Sequence, residues 1–248
     1  MKPSLLITIV ILMLVGRGAK AQDYFKAGDT LYVWSNTSLN VRSQTTGAVA
    51  DQLPYGTQVI VLEGQQPAAP KQEVIAGQLI GKEQFPAFHL VGNYIPIRYG
   101  NKSGFVFGGY LSKLPPRKTQ RLNGANESTK EYFERNFGVF KTTHSEKEGD
   151  HGKYKTDRVV YGNGVCLNYG GDGYGGSEIL ILPDLSLVQG YLFLNQMHNF
   201  DAAKKNGRDL YVNSYNQQTQ TIDISMDFEF FQLHKIGPYL IVTSGWSE

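Results

Sequence analysis

Hydrophobic and polar positions alternate along much of the chain. In "SLNVR" (38–42), Leu39 and Val41 are apolar while Asn40 and Arg42 are polar, the period of two that puts apolar groups on one face of a strand. "TLYVW" (30–34), "TQVIVLE" (57–63), "NYIPIRY" (93–99) and "SGFVF" (103–107) are similarly rich in β-branched and aromatic residues, with Gly, Pro, Asn or Asp between them. Short strands packed this closely predict a small β-barrel, closed or nearly so, because closure removes the unpaired edges of a small sheet. Pro96 cannot donate to a ladder and predicts an edge or bulge. Residues 64–92 exceed what a simple barrel needs, and "EVIAGQLIG" within them predicts an added hairpin arm.

The pattern changes at "PPRKTQRLNGAN". Pro115 and Pro116 stop the last strand, and Arg117, Lys118 and Arg121 predict a solvated linker over 115–125. From residue 126 to 248 the periodicity predicts an antiparallel α+β domain. Ser128 and Glu131 form a capping-box pattern, Phe133 and Phe137 share a helical face, and Gly138 suits the C-terminal cap. Strand-like runs follow in "KYKTDRVVYG", "GVCLNYG", "SEILILP", "DLYVNSY", "TIDISMDFEFFQLHK" and "YLIVTS". A second helix is expected from Ser186, where Gln189 repeats the capping spacing ahead of "GYLFLNQM". The fold class is therefore mainly β, with an N-terminal small barrel and a C-terminal antiparallel α+β domain.

The first residues change the compartment. An apolar run from Leu5 to Val15 follows Lys2, and Ala19 and Ala21 supply small residues for a peptidase, so residues 1–21 read as a secretory signal peptide. The run is too short for a bilayer span, which needs about 20 residues. Export without stable membrane insertion is expected, to the periplasm or the extracellular space. Removing Lys2, Arg17 and Lys20 leaves 21 basic against 22 acidic residues, without the basic excess of a nucleic-acid binder. Cys166 is the single cysteine, so no internal disulfide forms and packed cores must supply the stability.

"LNVRSQTTGAVADQLPYGTQVIVLE" followed by "YIPIRYGNKSGFVFGGYLSKLP" resembles a bacterial SH3-like domain, the SH3b family. The resemblance spans 29–114, within a domain drawn as 22–114. It is carried by Leu39-Asn40-Val41-Arg42-Ser43, by Leu53-Pro54-Tyr55-Gly56-Thr57 with Val59 and Val61, and by Gly104-Phe105-Val106 with Tyr110-Leu111. Tyr94 stands where family members usually carry a tryptophan. The resemblance implies recognition of cell-wall peptides or other exported proteins, with no chemistry of its own. The implied groove is aromatic, with Trp34, Tyr55, Tyr94 and Tyr110, and Arg42 beside them for a carboxylate.

Other motifs invite chemistry. "GDGYGG" (171–176) matches G-x-G-x-x-G but precedes a strand rather than a helix, so it reads as a hairpin loop. Cys166 lies in a strand-like run, away from the helix N-terminus that activates a nucleophilic thiol. "HSEKEGDH" (144–151) has metal-ligand residue types but reads as a solvated hairpin tip. Asp223, Asp227 and Glu229 alternate with apolar residues, which predicts carboxylates on the wet face of one strand; a glycoside-hydrolysing pair is the other reading. No cofactor, metal or catalytic residue is assigned. The expected function is an exported, non-enzymatic binding or adaptor protein. The alternatives are a cell-envelope hydrolase with its site in the C-terminal domain, or an inhibitor of another exported protein. Because Ala19 and Ala21 frame the cleavage site, N-terminal sequencing of the exported protein should begin at Gln22; an intact Met1 in a membrane fraction would contradict this.

Overall fold

A computed structural model describes residues 25–118, 127–149, 152–171 and 175–247. The signal peptide and residues 119–125 of the linker lie outside the described residues, as do Asp150, His151 and Gly173. The described residues are mainly β, in antiparallel sheets.

The N-terminal half contains β1 (Thr30–Val33), β2 (Leu39–Arg42), β3 (Val49–Leu53), β4 (Gln58–Val61), β5 (Gln72–Ile75), β6 (Gln78–Ile80), β7 (Glu83–Phe85), β8 (Phe88–Leu90), β9 (Tyr94–Tyr99), β10 (Lys102–Phe107) and β11 (Leu111–Ser112). Seven of them form one sheet in the order β11-β1-β4-β9-β10-β2-β3. It is not a closed barrel, which corrects that expectation. β11 pairs through only Leu111 and Ser112 before the chain reaches Pro115 and Pro116, which have no N–H to extend a ladder. The apolar face is sealed by the rest of the chain. Pro96 does not mark an edge either: β9 is central, and Pro96 sits opposite Phe105 of β10 with its carbonyl accepting from Leu62 N.

The insertion is a two-stage hairpin. β5 pairs with β8 and β6 with β7, so "EVIAGQLIG" supplies only the ascending limb of the arm. The arm reaches the C-terminal half. Phe88 packs against Tyr191 at 5.0 Å and Tyr215 at 5.2 Å, Phe85 meets Tyr211 at 4.5 Å, and Gln78 Nε2 donates to Leu210 O at 2.8 Å.

The C-terminal half runs α1 (Thr129–Phe137), β12 (Val139–Gly149), β13 (Gly152–Tyr161), β14 (Cys166–Gly171), β15 (Gly175–Pro183), α2 (Leu187–His198), α3 (Phe200–Lys205), β16 (Leu210–Asn216), β17 (Thr221–Met226), β18 (Glu229–Ile236) and β19 (Tyr239–Ser247). The eight strands form one sheet ordered β12-β13-β14-β15-β19-β18-β17-β16. Two meanders meet at the β15–β19 pairing, and the helices between β15 and β16 carry the chain across. The Ser128 capping box is complete, and Gly138 takes a left-handed φ of 65° at the other end of α1. Ser186 caps α2 by accepting from Gln189 N, while the Gln189 side chain turns away and accepts from Lys113 N at 3.3 Å. "TIDISMDFEFFQLHK" is two strands, because Asp227 and Phe228 form a turn with Asp227 at φ 51°. The turn resets the alternation. Phe228 and Phe230 are exposed, whereas Glu229 falls on the same face as the buried Phe231 and Leu233, so Asp223, Asp227 and Glu229 do not share one strand face.

Helix α2 is buried on nearly every side, from Leu187 through Gln196 apart from Val188. A helix apolar around its whole circumference belongs in an interior. One side lies so close to the eight-stranded sheet that a Cβ on Gly190 would meet Leu240 Cδ2 at 2.3 Å. The other side receives the N-terminal half. Trp34, only 1% exposed, meets Phe193 at 6.2 Å and Tyr132 of α1 at 6.5 Å, and its indole N–H donates to Leu114 O at 2.9 Å. Tyr132 OH donates to Pro115 O at 2.6 Å. The start of the expected linker is therefore packed, and Arg117 is buried, donating to the carbonyls of Gln196 and Glu127. The buried apolar residues of both halves form one continuous core. Trp34→Ala should destabilise the whole chain by about 3–5 kcal/mol in urea unfolding, and a variant with an unchanged midpoint would contradict a shared core.

Candidate functional site

The groove implied by the SH3b resemblance is largely occupied by this chain. Trp34 is core. Tyr55 is half-buried at 6.2 Å from Trp34, and its hydroxyl accepts from Arg117 N at 2.9 Å. Burial pushes the Tyr55 phenol up to about 12, against the smaller opposing effect of the Arg117 N–H and charge. Tyr110 lies in a 3-10 turn (Gly108–Tyr110) that packs against α2, and it meets Phe107 edge-on at 5.7 Å. Tyr94, half-buried, sits opposite Phe107 in the β9–β10 pair. Arg42 is spent on Gly47 O at 2.5 Å and lies on β2, on the far side of β10 from Tyr94. The five residues do not form one open surface: Trp34, Tyr55 and Tyr110 face the C-terminal half.

The other motifs are similarly accounted for. Cys166 opens β14, is buried, and accepts from Arg158 Nε at 3.3 Å. "HSEKEG" is the solvent-exposed end of β12 in the β12–β13 hairpin, where Gly149 pairs with Gly152. Among the described residues no three His, Cys, Asp or Glu side chains converge as a metal site.

An open groove does exist, on the helix-facing side of the eight-stranded sheet, where register rather than sequence proximity brings its residues together. Val159, Leu167, Leu180, Val242, Leu233 and Ile222 form one cross-strand row beneath the helices, and all are buried. Two residues further along each strand, the row reads His144, Asp157, Tyr169, Glu178 and Ser244. Side chains two apart share a face, so these polar groups point to the same side as the core but lie at its margin. At about 4.8 Å per strand, the polar row is about 19 Å long.

The row is internally ordered. His144 Nδ1 pairs with Asp157 Oδ1, Tyr169 OH donates to Asp157 Oδ2 at 2.7 Å, and Lys130 of α1 donates to the Tyr169 oxygen at 3.2 Å. The Tyr169 hydroxyl, then His144, hold the Asp157 carboxyl below its ordinary range, with burial opposing them. Thr129 Oγ1 donates to Glu178 Oε2 at 3.1 Å. Nearer the sheet end, Trp246 is 51% exposed, and its ring occupies the space over Gly176, where a Cβ would come within 2.3 Å of two indole carbons.

Two lobes meet at Trp246 and Glu178. The first, about 380 Å³, lies over Asp157, Tyr169 and the glycines of the β14–β15 hairpin, with Lys155 at its side. The second, about 290 Å³, extends toward His198 and Glu229 beside the N-terminus of α1. Glu229 accepts from His198 at 3.3 Å and from Arg208 at 3.5 Å; the His198 contact contributes most to holding its carboxyl below the ordinary range, burial opposing, and Arg208 adding to it. Sequence reasoning missed Asp157, Tyr169, Glu178 and Trp246 as a set because each lies on a different strand. The available signal was polar residues at inward-facing strand positions.

No protein-family model, curated protein or solved structure matches this chain.

A depressed carboxyl pKa stabilises the fold above the unfolded-chain value of about 3.9, and that stabilisation disappears as pH falls through the lower folded value. Tyr169→Phe removes the largest cause, so NMR titration should show the Asp157 pKa rising toward the ordinary value. An unmoved Asp157 would show that the Tyr169 hydroxyl is not its controlling partner.

Proposed function

We propose that this is an exported, non-catalytic binding protein of a bacterial cell envelope, made of an SH3-like sheet domain and an antiparallel α+β domain that share one core. In this reading the SH3-like half is a buttress, and the ligand seat is the groove beside Trp246. The observation that carries it is the exposed Trp246 between two lobes lined by ordered polar groups. Ligand sites typically combine such an aromatic surface with a few convergent polar groups in roughly 300–1,000 Å³. The apolar start of the chain supports export, and the SH3b resemblance supports an envelope partner, cell-wall material or another exported protein.

Binding is favoured over hydrolysis by the state of Asp157 and Glu229. A glycosidase-type acid needs a raised pKa so that it carries a proton at working pH. Asp157 and Glu229 are instead held low, which suits permanent hydrogen-bond acceptors. Co-sedimentation of the mature protein with purified cell-wall sacculi, with envelope extract as a parallel bait, tests the reading. It should pellet with sacculi in a salt-tolerant manner while releasing no soluble fragments. Steady release of fragments by the protein would overturn the non-catalytic reading, and failure to bind either bait would overturn the envelope assignment.

A further inference from the structure

We propose that the groove beside Trp246 binds an uncharged oligosaccharide, with one sugar ring stacked on the indole and its neighbours extending into the two lobes. The inference rests on the binding-protein reading above and names its ligand class.

Three features point to sugar. The first is the platform: the indole is half exposed and lies over Gly176, where no side chain competes for its space. The face of an aromatic ring is the negative side of its quadrupole, and the C–H groups on one side of a pyranose are weakly positive, so the two surfaces stack. The second is the polar lining. A sugar hydroxyl both donates and accepts, and the groove offers both kinds of partner. Glu178 has Oε2 engaged by Thr129 and borders both lobes, while Lys155 adds a donor beside the fixed acceptor Asp157. Asp157 is held by His144 and by Tyr169, itself bonded to Lys130, and Glu178 by Thr129, before any ligand arrives, which reduces the ordering cost of binding.

The third is charge and direction. Asp157 has Lys130 nearby through Tyr169, Glu229 pairs with Arg208, Glu127 with Arg135, and Lys155 shares the first lobe with Glu178, so each acidic group of the lining has a basic neighbour. That suits an uncharged ligand better than a polyanionic saccharide or a basic peptide. An extended peptide is disfavoured for another reason. The groove crosses β13, β14, β15 and β19 in the interior of the sheet, where each strand is paired on both sides, so no backbone ladder is open for strand addition. A row about 19 Å long suits a ligand several sugar rings in length.

Tryptophan fluorescence and calorimetry with β-1,4-linked N-acetylglucosamine tetramer, cellotetraose, maltotetraose and N-acetylglucosamine monomer test the proposal on the mature protein. Trp34 is buried and Trp246 exposed, so ligand should perturb the solvent-exposed emission and spare the buried component. At least one tetramer should bind, at least tenfold tighter than the monomer. Trp246→Ala should weaken that binding at least tenfold, and Glu178→Gln several-fold, both with unchanged melting temperature. If no tetramer binds, or if Trp246→Ala binds as tightly as the parent, the carbohydrate assignment is overturned. Sacculus binding that survives such a result would leave the envelope-binding reading standing without this ligand. A tetramer that binds through Trp246 and is then cleaved would uphold the ligand class and overturn only the non-catalytic reading.

Discussion

Helix α2 has no solvent-facing side, and that constraint organises the molecule. A single sheet can cover only one face of a helix that is buried nearly all round, and the eight-stranded sheet covers the face marked by Gly190. The remaining face needs a second layer. Trp34, the turn that carries Tyr110 and the Phe88 arm supply it. Fully burying large aromatic side chains is worth several kcal/mol in a fold whose total stability is about 5–15 kcal/mol. Neither half can give up this contact cheaply.

The joint also explains which surface stays open. Trp34, Tyr55 and Tyr110, the rings that the sequence offered to a ligand, are turned inward here, and polar groups around them bond within the chain. Tyr55 accepts from Arg117, and Asn36 Nδ2 donates to Asp201. The two halves thereby consume the N-terminal surface. What stays open is the far end of the C-terminal sheet, beside the N-terminus of α1 and the C-terminus of α2, where inward-facing positions change from Leu180 and Val242 to Glu178 and Ser244.

Much of the local structure was legible in the sequence. The Ser128 and Ser186 caps set the starts of both long helices, and the two-residue period located most strands, because both signals depend on neighbours in the chain. Long-range relations were not legible. A closed or nearly closed barrel was expected from strand composition, but closure depends on which strands meet, and the seven strands form an open sheet with β11 and β3 at its edges. The single strand expected through Asp227 failed because a two-residue turn inverts the phase without any Gly or Pro to mark it. Trp34 was expected in the implied groove, and only its partners, Phe193 and Tyr132, show that it is core. The groove was hidden for the same reason. Asp157, Tyr169, Glu178 and Trp246 are brought together by register alone.

The central claim is that the N-terminal sheet is half of a shared core and not an independent binding module. The direct test is residues 22–118 expressed alone, with the emission of Trp34, their sole tryptophan, and amide hydrogen exchange compared with the mature chain. With α1 and α2 missing, the account predicts solvent-exposed emission from Trp34 and weak exchange protection across β1, β4 and β9. A fragment that keeps buried tryptophan emission, native-like protection and a sharp unfolding transition would contradict it.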